Sequence, residues 1–526
     1  MNTTITTPPQ IFTQAPPAKD FCSVMDTPLL RIGSQSWTIN DACEGVMIMG
    51  ATGSGKTSGS GAHLAHAYLR AGFGGLVLCS KPDERPRWEQ YAKECGRDHQ
   101  LIIMDATGKE RFNFLEYSLY NQGSRETFNL VSLFTTMAEA ARNNTGGNAA
   151  DPYWQDAMKE LLSHTIDALI AAKGKLVLSE VLQFVESIPL PTDERRDGFC
   201  MQTLGRAYGN PAYQQSVQQM QMVNNYIMQQ MRYMSDKTRG NIISSFTSLA
   251  LPLMKGTLQK LFCTDTTFVP ELAHEGAIII IDLPLKEWKE GGKLASHIMK
   301  HLFQQATERR KVTAHTRPVF LWADECHFFL NDYDNEFQST ARSSRAATVY
   351  LTQNINGIRA AIGGAHAHDK TEALLGNLRT KIFHLNDSQD TNEFASDRTG
   401  KAPQLRRNWG ESKGSNRSES TGTSTNWGYS RSSTSSAQGG SSSGGSNWGR
   451  GRNSSHSHGT NEGYSMGVSE QIDYRLQPSF FAENLRNGGK KNDYKVDGVL
   501  VQAGRKFDST GLHWEICSFS QEIVAK

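Results

Sequence analysis

The stretch Gly50-Ala-Thr-Gly-Ser-Gly55-Lys56-Thr57 is the part of the chain that decides its fold. It fits the pattern G-x-x-x-x-G-K-[ST] at every fixed position, and the apolar run Gly45–Met49 precedes it. Glycines let the backbone fold tightly, so that N–H groups point inward at phosphate oxygens. A following segment of helical length, Thr57–Gly72, adds the positive end of its dipole. The sequence therefore predicts a phosphate-binding loop between a buried strand and a helix.

This loop carries the groups that hold a nucleoside triphosphate with Mg²⁺. Lys56 is expected to reach the β- and γ-phosphates, and Thr57 is expected to place its hydroxyl on the metal. The predicted cofactors are ATP and Mg²⁺. The residues predicted to bind the nucleotide form one run: Gly50, Ala51, Thr52, Gly53, Ser54, Gly55, Lys56, Thr57 and Ser58.

Two adjacent acids end a later apolar strand, Val319–Glu325. Asp324 is expected to hold Mg²⁺ through water, together with Thr57, while Glu325 orients and polarises the attacking water. A solvated strand end is the alternative interpretation of such a pair. The position of the pair downstream of a complete phosphate loop favours catalysis, with Lys56 and Glu325 as catalytic residues.

Polar residues near a further strand complete the predicted site. Gln353 ends the apolar run from Thr348 and is a candidate sensor of the γ-phosphate, or else a structural amide. A ring-forming ATPase needs a cation that reaches across the subunit interface to the transferring phosphate. Arg345 is the first choice for this arginine finger, Arg342 the second and Arg239 a weaker rival. Each of the three can equally be a surface ion pair.

Composition limits the class of protein. The chain has 526 residues with 37% hydrophobic residues and a formal net charge of +2, so a nucleic-acid surface must be local. None of its eight cysteines forms a close pair, which indicates reduced residues and disfavours structural zinc. The sequence shows neither a targeting segment nor an apolar run long enough to span a membrane. A cytoplasmic protein is expected.

Alternation of apolar runs and helical patterns predicts an α/β fold with a mainly parallel central sheet. Strand-like runs disappear in the middle of the chain, and helical periodicity replaces them. A Ser/Gly-rich segment contains Asn-Trp-Gly three times, with scattered arginines. It is expected to be a disordered loop, or alternatively an arm that stacks on single-stranded nucleic acid. The predicted parts are an N-terminal arm (1–40), a nucleotide-binding domain (41–120, 266–404 and 469–526), an all-α insert (121–265) and the disordered loop (405–468).

The order of these motifs resembles the VirD4/TraG/TraD type IV coupling proteins, within the FtsK–HerA group of DNA-pumping ATPases. The matching stretches are Val46–Thr57, Leu78-Cys-Ser-Lys-Pro-Asp-Glu84, Phe112-Asn-Phe114, Pro152-Tyr-Trp-Gln155, Trp322-Ala-Asp-Glu325, Ala341-Arg-Ser-Ser-Arg345 and Thr352-Gln353-Asn354. The turn Ser80–Glu84 departs from the family's Asp-Pro-Lys-Gly-Glu. Family members usually carry N-terminal membrane helices, which this sequence lacks.

This resemblance implies a RecA-like P-loop NTPase that hydrolyses ATP and moves single- or double-stranded DNA as a homo-hexamer. It further implies a relaxosome, secretion-channel or membrane-anchor protein as partner, which would place the chain at the inner membrane without insertion. Two alternatives stay open. One is a HerA/FtsK-like DNA-processing ATPase of a phage-defence or mobile-element system, and the other is an ATP-gated receptor that recruits a substrate without translocation.

Overall fold

The computed structural model describes residues 21–120, 127, 130–135, 152–192, 197–210, 217–434 and 441–522. The chain divides into two compact units, Met1–Thr399 with Leu476–Lys526 and, separately, Gly400–Arg475. The strands are β1 (Pro28–Ile32), β2 (Gln35–Thr38), β3 (Val46–Met49), β4 (Gly74–Leu78), β5 (Leu101–Asp105), β6 (Ile278–Asp282), β7 (Val319–Ala323), β8 (Ala346–Thr352), β9 (Thr380–Phe383), β10 (Lys401–Thr434), β11 (Ser441–Tyr474), β12 (Lys495–Gln502) and β13 (Trp514–Ser520).

The first unit is built on a nine-stranded sheet with the order β13-β12-β9-β3-β8-β7-β4-β6-β5. The pairings from β9 to β5 are parallel, whereas β12 and β13 form an antiparallel hairpin that pairs with β9 at one edge. All residues of β3, β4, β7 and β8 are buried. Apolar runs without alternation are typical of parallel strands covered on both faces, so the predicted α/β fold is confirmed.

Helices cover the two faces of this sheet. Alternate residues of a strand point to opposite faces. Val46 of β3 therefore packs in a cluster with Tyr68 from the helix after the phosphate loop, whereas Met47 packs in a second cluster with Ile298 from the long helix before β7. The helices outside the central helical stretch are Ile39–Cys43, Ala62–Arg70 (entered through a π-type turn, Thr57–Gly61), Glu84–Glu94, Leu285–Arg309 (kinked at Lys289), Tyr333–Thr340, Ile355–Ile362, Ala367–Asn377, Gln389–Thr399 and Pro478–Glu483.

Between β5 and β6 the described residues form helices joined by turns and loops, with no strand among them. The α-helices are Phe114–Tyr120, Pro152–Lys173, Leu178–Glu186, Phe199–Gly209, Val217–Asn225, Asp236–Ala250 and Gly256–Phe262. Residues 121–126, 128–129, 136–151, 193–196 and 211–216 of the predicted insert lie outside the described residues, as do the side chains of Trp154 and Gln155. Leu161 and Phe246 from these helices belong to the same buried cluster as Met47 of the sheet, so the helical stretch packs on the sheet face.

The N-terminal segment differs from the predicted arm. Residues 1–20 lie outside the described residues, but β1 and β2 form a hairpin followed by the helix Ile39–Cys43. Trp37 is 1% exposed and its Nε1 donates to Thr380 Oγ1 at 3.4 Å. The predicted arm of residues 1–40 therefore extends too far, because Ile32 and Trp37, which lie in a short apolar stretch, are buried.

The second unit differs from the predicted disordered loop. β10 and β11 pair antiparallel in continuous register from Lys401↔Tyr474 to Thr434↔Ser441. Trp409 and Trp427 are 74% and 77% exposed, and none of the side chains that the structure describes in these two strands is buried. The low apolar content of the segment agrees with this exposure, but it does not reveal the backbone hydrogen bonds that join the strands. Residues 435–440 and the side chains of Arg406, Arg407 and Arg431 lie outside the described part, so the nucleic-acid arm stays a prediction.

Candidate functional site

The predicted site residues follow neighbouring strands of the sheet. The phosphate loop follows β3, Asp324 and Glu325 follow β7, and Gln353 follows β8, which lies between β3 and β7. Because parallel strands end at one edge of a sheet, these side chains lie close together. The arrangement matches the RecA-like P-loop order, with one strand between the loop strand and the acidic strand.

The phosphate loop is fixed to the strands on either side of β3. Gly50 N donates to Thr352 O at 3.2 Å, and Ala51 N donates to Leu385 O at 2.9 Å. Gly55 has φ +82°, and a Cβ at this position would lie 2.5 Å from Val496 Cγ2. Only glycine therefore fits where β12 packs against the loop. Ser54 Oγ is buried and has no hydrogen-bond partner among the described residues.

Other loop residues are open to solvent or bonded to the C-terminal segment. Thr52 and Gly53 are exposed, and Gly53 has φ +76°. Ser58 Oγ accepts a hydrogen bond from Gln521 Nε2 at 2.7 Å. The loop thus presents its tip to solvent, while its second half rests on β12 and the residues after β13.

The expected metal ligands meet in the structure. Thr57 Oγ1 donates to Asp324 Oδ2 at 2.9 Å, and Glu325 N donates to Asp324 Oδ1 at 2.9 Å. A hydroxyl and a carboxylate are the hard oxygen donors that Mg²⁺ prefers. The residues present therefore fit a Mg²⁺ ion bound with a nucleotide.

Glu325 stands at the centre of the site. Its side chain is 2% exposed, and its Oε1 lies 2.8 Å from Lys81 Nζ and 3.7 Å from Lys56 Nζ. The same oxygen accepts a hydrogen bond from Gln353 Nε2 at 3.1 Å. Its backbone φ of 53° is left-handed, a strain that residues other than glycine tolerate mainly at functional sites.

Charge keeps this carboxyl group ionised. Burial raises the pKa of Glu325, but the hydrogen bond from Lys81, the charge of Lys56 and the hydrogen bond from Gln353 outweigh it, and the pKa lies below its ordinary value. Glu325 Oε2 is buried and accepts no hydrogen bond within the described part of the chain; His327 Nδ1 lies 3.9 Å away. An ionised carboxylate next to the phosphate loop is suited to accept a proton from water.

Sequence reasoning missed two residues of this site. Lys81 and Glu84 follow β4, whose neighbour is β7. The Glu84 carboxylate accepts hydrogen bonds from Ser80 N, Ser80 Oγ and Lys81 N. Burial, and then the charge of Asp324, raises the pKa of Glu84 to about 8. Their signal in the sequence is the one that also marks Asp324 and Glu325, namely polar residues that directly follow a buried strand.

The predicted arginine fingers lie away from this site. Arg345 precedes β8 and Gln353 follows it, so roughly 25 Å of strand separates them. Arg345 NH1 donates to Thr316 O at 2.7 Å and to Ser23 O at 3.0 Å. The guanidinium of Arg345 is thus hydrogen-bonded to backbone carbonyl groups of its own chain.

The other two arginines differ in their exposure. Arg342 has a side chain 60% exposed, with NH1 3.5 Å from Glu44 Oε1. Arg239 is 6% exposed, and its guanidinium donates to Ile188 O and Pro189 O. Arg239 is therefore fixed inside the helical stretch, while Arg342 is the arginine of the three that stands open to solvent.

One family model matches part of the chain. Residues 318–462, which include β7, Asp324, Glu325 and Gln353, match a family model described as the TraM recognition site of TraD and TraG. The resemblance to the VirD4/TraG/TraD family is confirmed. No curated protein matches the chain.

Solved structures of a coupling protein share the fold. The bacterial conjugative coupling protein TrwBdeltaN70 in its unbound monoclinic form is 13% identical, covers 96% of this chain and 92% of its own, and has a TM-score of 0.54. Its trigonal form in complex with sulphate is 11% identical, covers 96% and 93%, and has a TM-score of 0.55. The plasmid coupling protein TrwB in complex with the non-hydrolysable ATP analogue ADPNP is 12% identical, covers 96% and 92%, and has a TM-score of 0.52. Within the described residues, no helix combines the length and apolar character that a membrane crossing requires.

Proposed function

We propose that this chain is an ATP-hydrolysing motor of the coupling-protein type that moves DNA in conjugative or type IV secretion-like transfer. The observation that supports it most is the convergence of Lys56, the Thr57–Asp324 pair and Glu325 at one edge of the sheet. These are the groups that phosphoryl transfer to water needs: a cation, metal ligands and a base. The match to coupling proteins supports DNA as the cargo.

Each residue has a distinct task in hydrolysis. Lys56 leaves Glu325 to contact the β- and γ-phosphates of ATP, and Thr57 and Asp324 hold the metal. Mg²⁺, when bound, neutralises charge on the phosphate oxygens. The Glu325 carboxylate then accepts the proton of the attacking water, while Gln353 at the end of β8 donates a hydrogen bond to its Oε1.

A homo-hexamer fits the placement of the arginines. An arginine at the amino end of β8 is too far from the γ-phosphate of its own site, so a finger must act on a neighbouring copy. Arg342 takes the place of Arg345 as our preferred finger, because the side chain is exposed and its ion pair with Glu44 is long at 3.5 Å. An exposed pair of this kind is weak and easily exchanged for a phosphate.

Steady-state ATP hydrolysis tests the proposal. Wild-type protein should hydrolyse ATP in a Mg²⁺-dependent reaction that single- or double-stranded DNA stimulates, and GTP should serve less well. Lys56→Ala should abolish turnover. The exposed Lys93→Ala on the helix Glu84–Glu94 is the matched control and should behave like wild type. Absence of any DNA stimulation with both DNA types would reject the motor function.

A second candidate is an ATP-gated receptor that recruits a nucleoprotein substrate without pumping it. The family match favours it, because the matched region of TraD and TraG is described as a recognition site for TraM. A relaxosome protein of that kind is therefore the partner to test, along with a channel or membrane-anchor protein. A receptor would bind ATP and the partner protein but would hydrolyse too slowly for transport, which single-turnover measurements distinguish from a motor.

A further inference from the structure

We propose that Lys81 is a positioning residue for the general base: together with Gln353 it holds Oε1 of the Glu325 carboxylate and so fixes the orientation of the group that activates water. The proposal rests on the ATPase function proposed above and adds a residue to that site. It follows from three observations on the structure, namely the strand order, the contacts of each carboxylate oxygen and the charges around the group.

Strand order places Lys81 beside the acidic pair. β4 pairs in parallel with β7 in the register Leu78↔Ala323, so the chain leaving β4 runs alongside Asp324 and Glu325. The Glu84 carboxylate fixes this turn through the backbone N–H of Lys81 at 3.1 Å and the Ser80 hydroxyl at 2.7 Å. The backbone that carries Lys81 is therefore held in one conformation next to the base.

Lys81 and Gln353 both donate a hydrogen bond to Glu325 Oε1, and they approach it from opposite sides of β7. Lys81 comes from the end of β4 and Gln353 from the end of β8, and these two strands flank β7. Their nitrogens lie 2.8 Å and 3.1 Å from Glu325 Oε1, whereas Oε2 has no hydrogen-bond partner among the described residues. A carboxylate held at one oxygen from two sides presents its other oxygen in a fixed direction, as base catalysis requires.

Nucleotide binding makes Lys81 more important. Lys56 also lies near Oε1, at 3.7 Å, but its ammonium is needed by the β- and γ-phosphates once ATP is bound. Lys81 then remains as the cation paired with Glu325. The side chain of Lys81 is 35% exposed and that of Glu325 is 2% exposed, so the pair sits at the border of the buried site and is poorly screened by water.

Three variants test the proposal by steady-state ATP hydrolysis at saturating Mg²⁺. Lys81→Met should lower kcat by roughly 10- to 100-fold with KM for ATP nearly unchanged, because the base loses its orientation and not the nucleotide its binding site. Lys81→Arg keeps the charge and the hydrogen-bond donors and should restore most of the activity. The matched control Lys93→Met, exposed on the helix Glu84–Glu94, should match wild type. If Lys81→Met does not fold, Lys81→Gln, which keeps a donor without the charge, replaces it.

Two outcomes overturn the proposal. Turnover of Lys81→Met within threefold of wild type would show that Lys81 is only a surface ion pair. A rise in KM with unchanged kcat would show that Lys81 binds the nucleotide itself. The ATPase function is judged separately with Glu325→Gln. If Glu325→Gln turns over like wild type, the proposed site fails; if Glu325→Gln is inactive while Lys81→Met is normal, only the positioning role fails.

Discussion

Replacing Glu325 by glutamine separates ATP binding from hydrolysis in this site. The amide keeps the size of the carboxylate and can still accept hydrogen bonds from Lys81 and Gln353, but it loses the negative charge. The variant can no longer take a proton from water. Removal of a general base typically lowers turnover by about 10²- to 10⁴-fold. We therefore expect the kcat of Glu325→Gln at pH 7 to be lower than that of wild type by a factor in this range.

The same change should strengthen ATP binding. Lys56 Nζ lies 3.7 Å from Glu325 Oε1, with side chains 8% and 2% exposed. At this distance and an effective dielectric constant of about 20, Coulomb's law gives an attraction of about 4 kcal/mol as an upper limit. ATP must break this contact to engage Lys56. If only a third of the attraction is released to binding, about 1.4 kcal/mol, the dissociation constant for ATP falls roughly tenfold.

Two measurements check this prediction. Calorimetry or a fluorescent ATP analogue gives the dissociation constant in the presence of Mg²⁺, and phosphate release gives kcat. Glu89→Gln, which removes an exposed carboxylate 2.9 Å from Arg85, is the matched control and should change neither value more than twofold. Weaker ATP binding by Glu325→Gln than by wild type would refute the reasoning that Glu325 competes for Lys56, and unchanged kcat would show that Glu325 is not the base.

Three further changes test other parts of the structure. Thr57→Val removes the hydroxyl that contacts Asp324 at 2.9 Å and should raise the Mg²⁺ concentration for half-maximal turnover at least tenfold; an unchanged Mg²⁺ titration would contradict the metal site. Asp334→Ala leaves the ammonium of Lys300, now 2.5 Å from Asp334 and fully buried, without its charge partner, so urea unfolding should show a loss of about 3–5 kcal/mol. A loss below 1 kcal/mol would mean that Lys300 is neutral or reaches water. Deletion of 408–466 removes hairpin residues without a hydrophobic core and should leave the melting temperature and DNA-independent turnover unchanged, whereas global unfolding would show that the hairpin supports the first unit.

The sheet and the central site residues were predictable because their signals are local. Continuous apolar runs such as β3 and β7 indicate buried parallel strands, and polar residues directly after them mark the edge where ligands bind. Lys56, Thr57, Asp324 and Glu325 each follow such a run. Their meeting in space follows from the parallel topology alone, without knowledge of the complete strand order.

Other features depend on which strands become neighbours. The contact between Lys81 and Glu325 arises because β4 lies next to β7, an adjacency that no spacing along the chain reveals. The hydrogen bonds that Arg345 donates to Ser23 O and Thr316 O join segments that are far apart in sequence. Composition likewise identified the missing core of residues 405–468 but not the backbone pairing of β10 with β11.

The position of β3 in the sheet has a consequence for biosynthesis. Both of its neighbours, β8 and β9, are encoded roughly 300 residues after it. At a translation rate of about 5–20 residues per second, the strand that carries the phosphate loop leaves the ribosome roughly 15–60 s before either partner exists. During this interval its apolar edges can pair with other chains. The nascent protein is therefore expected to depend on chaperones that bind hydrophobic segments, and co-expression of such chaperones should raise the yield of folded protein.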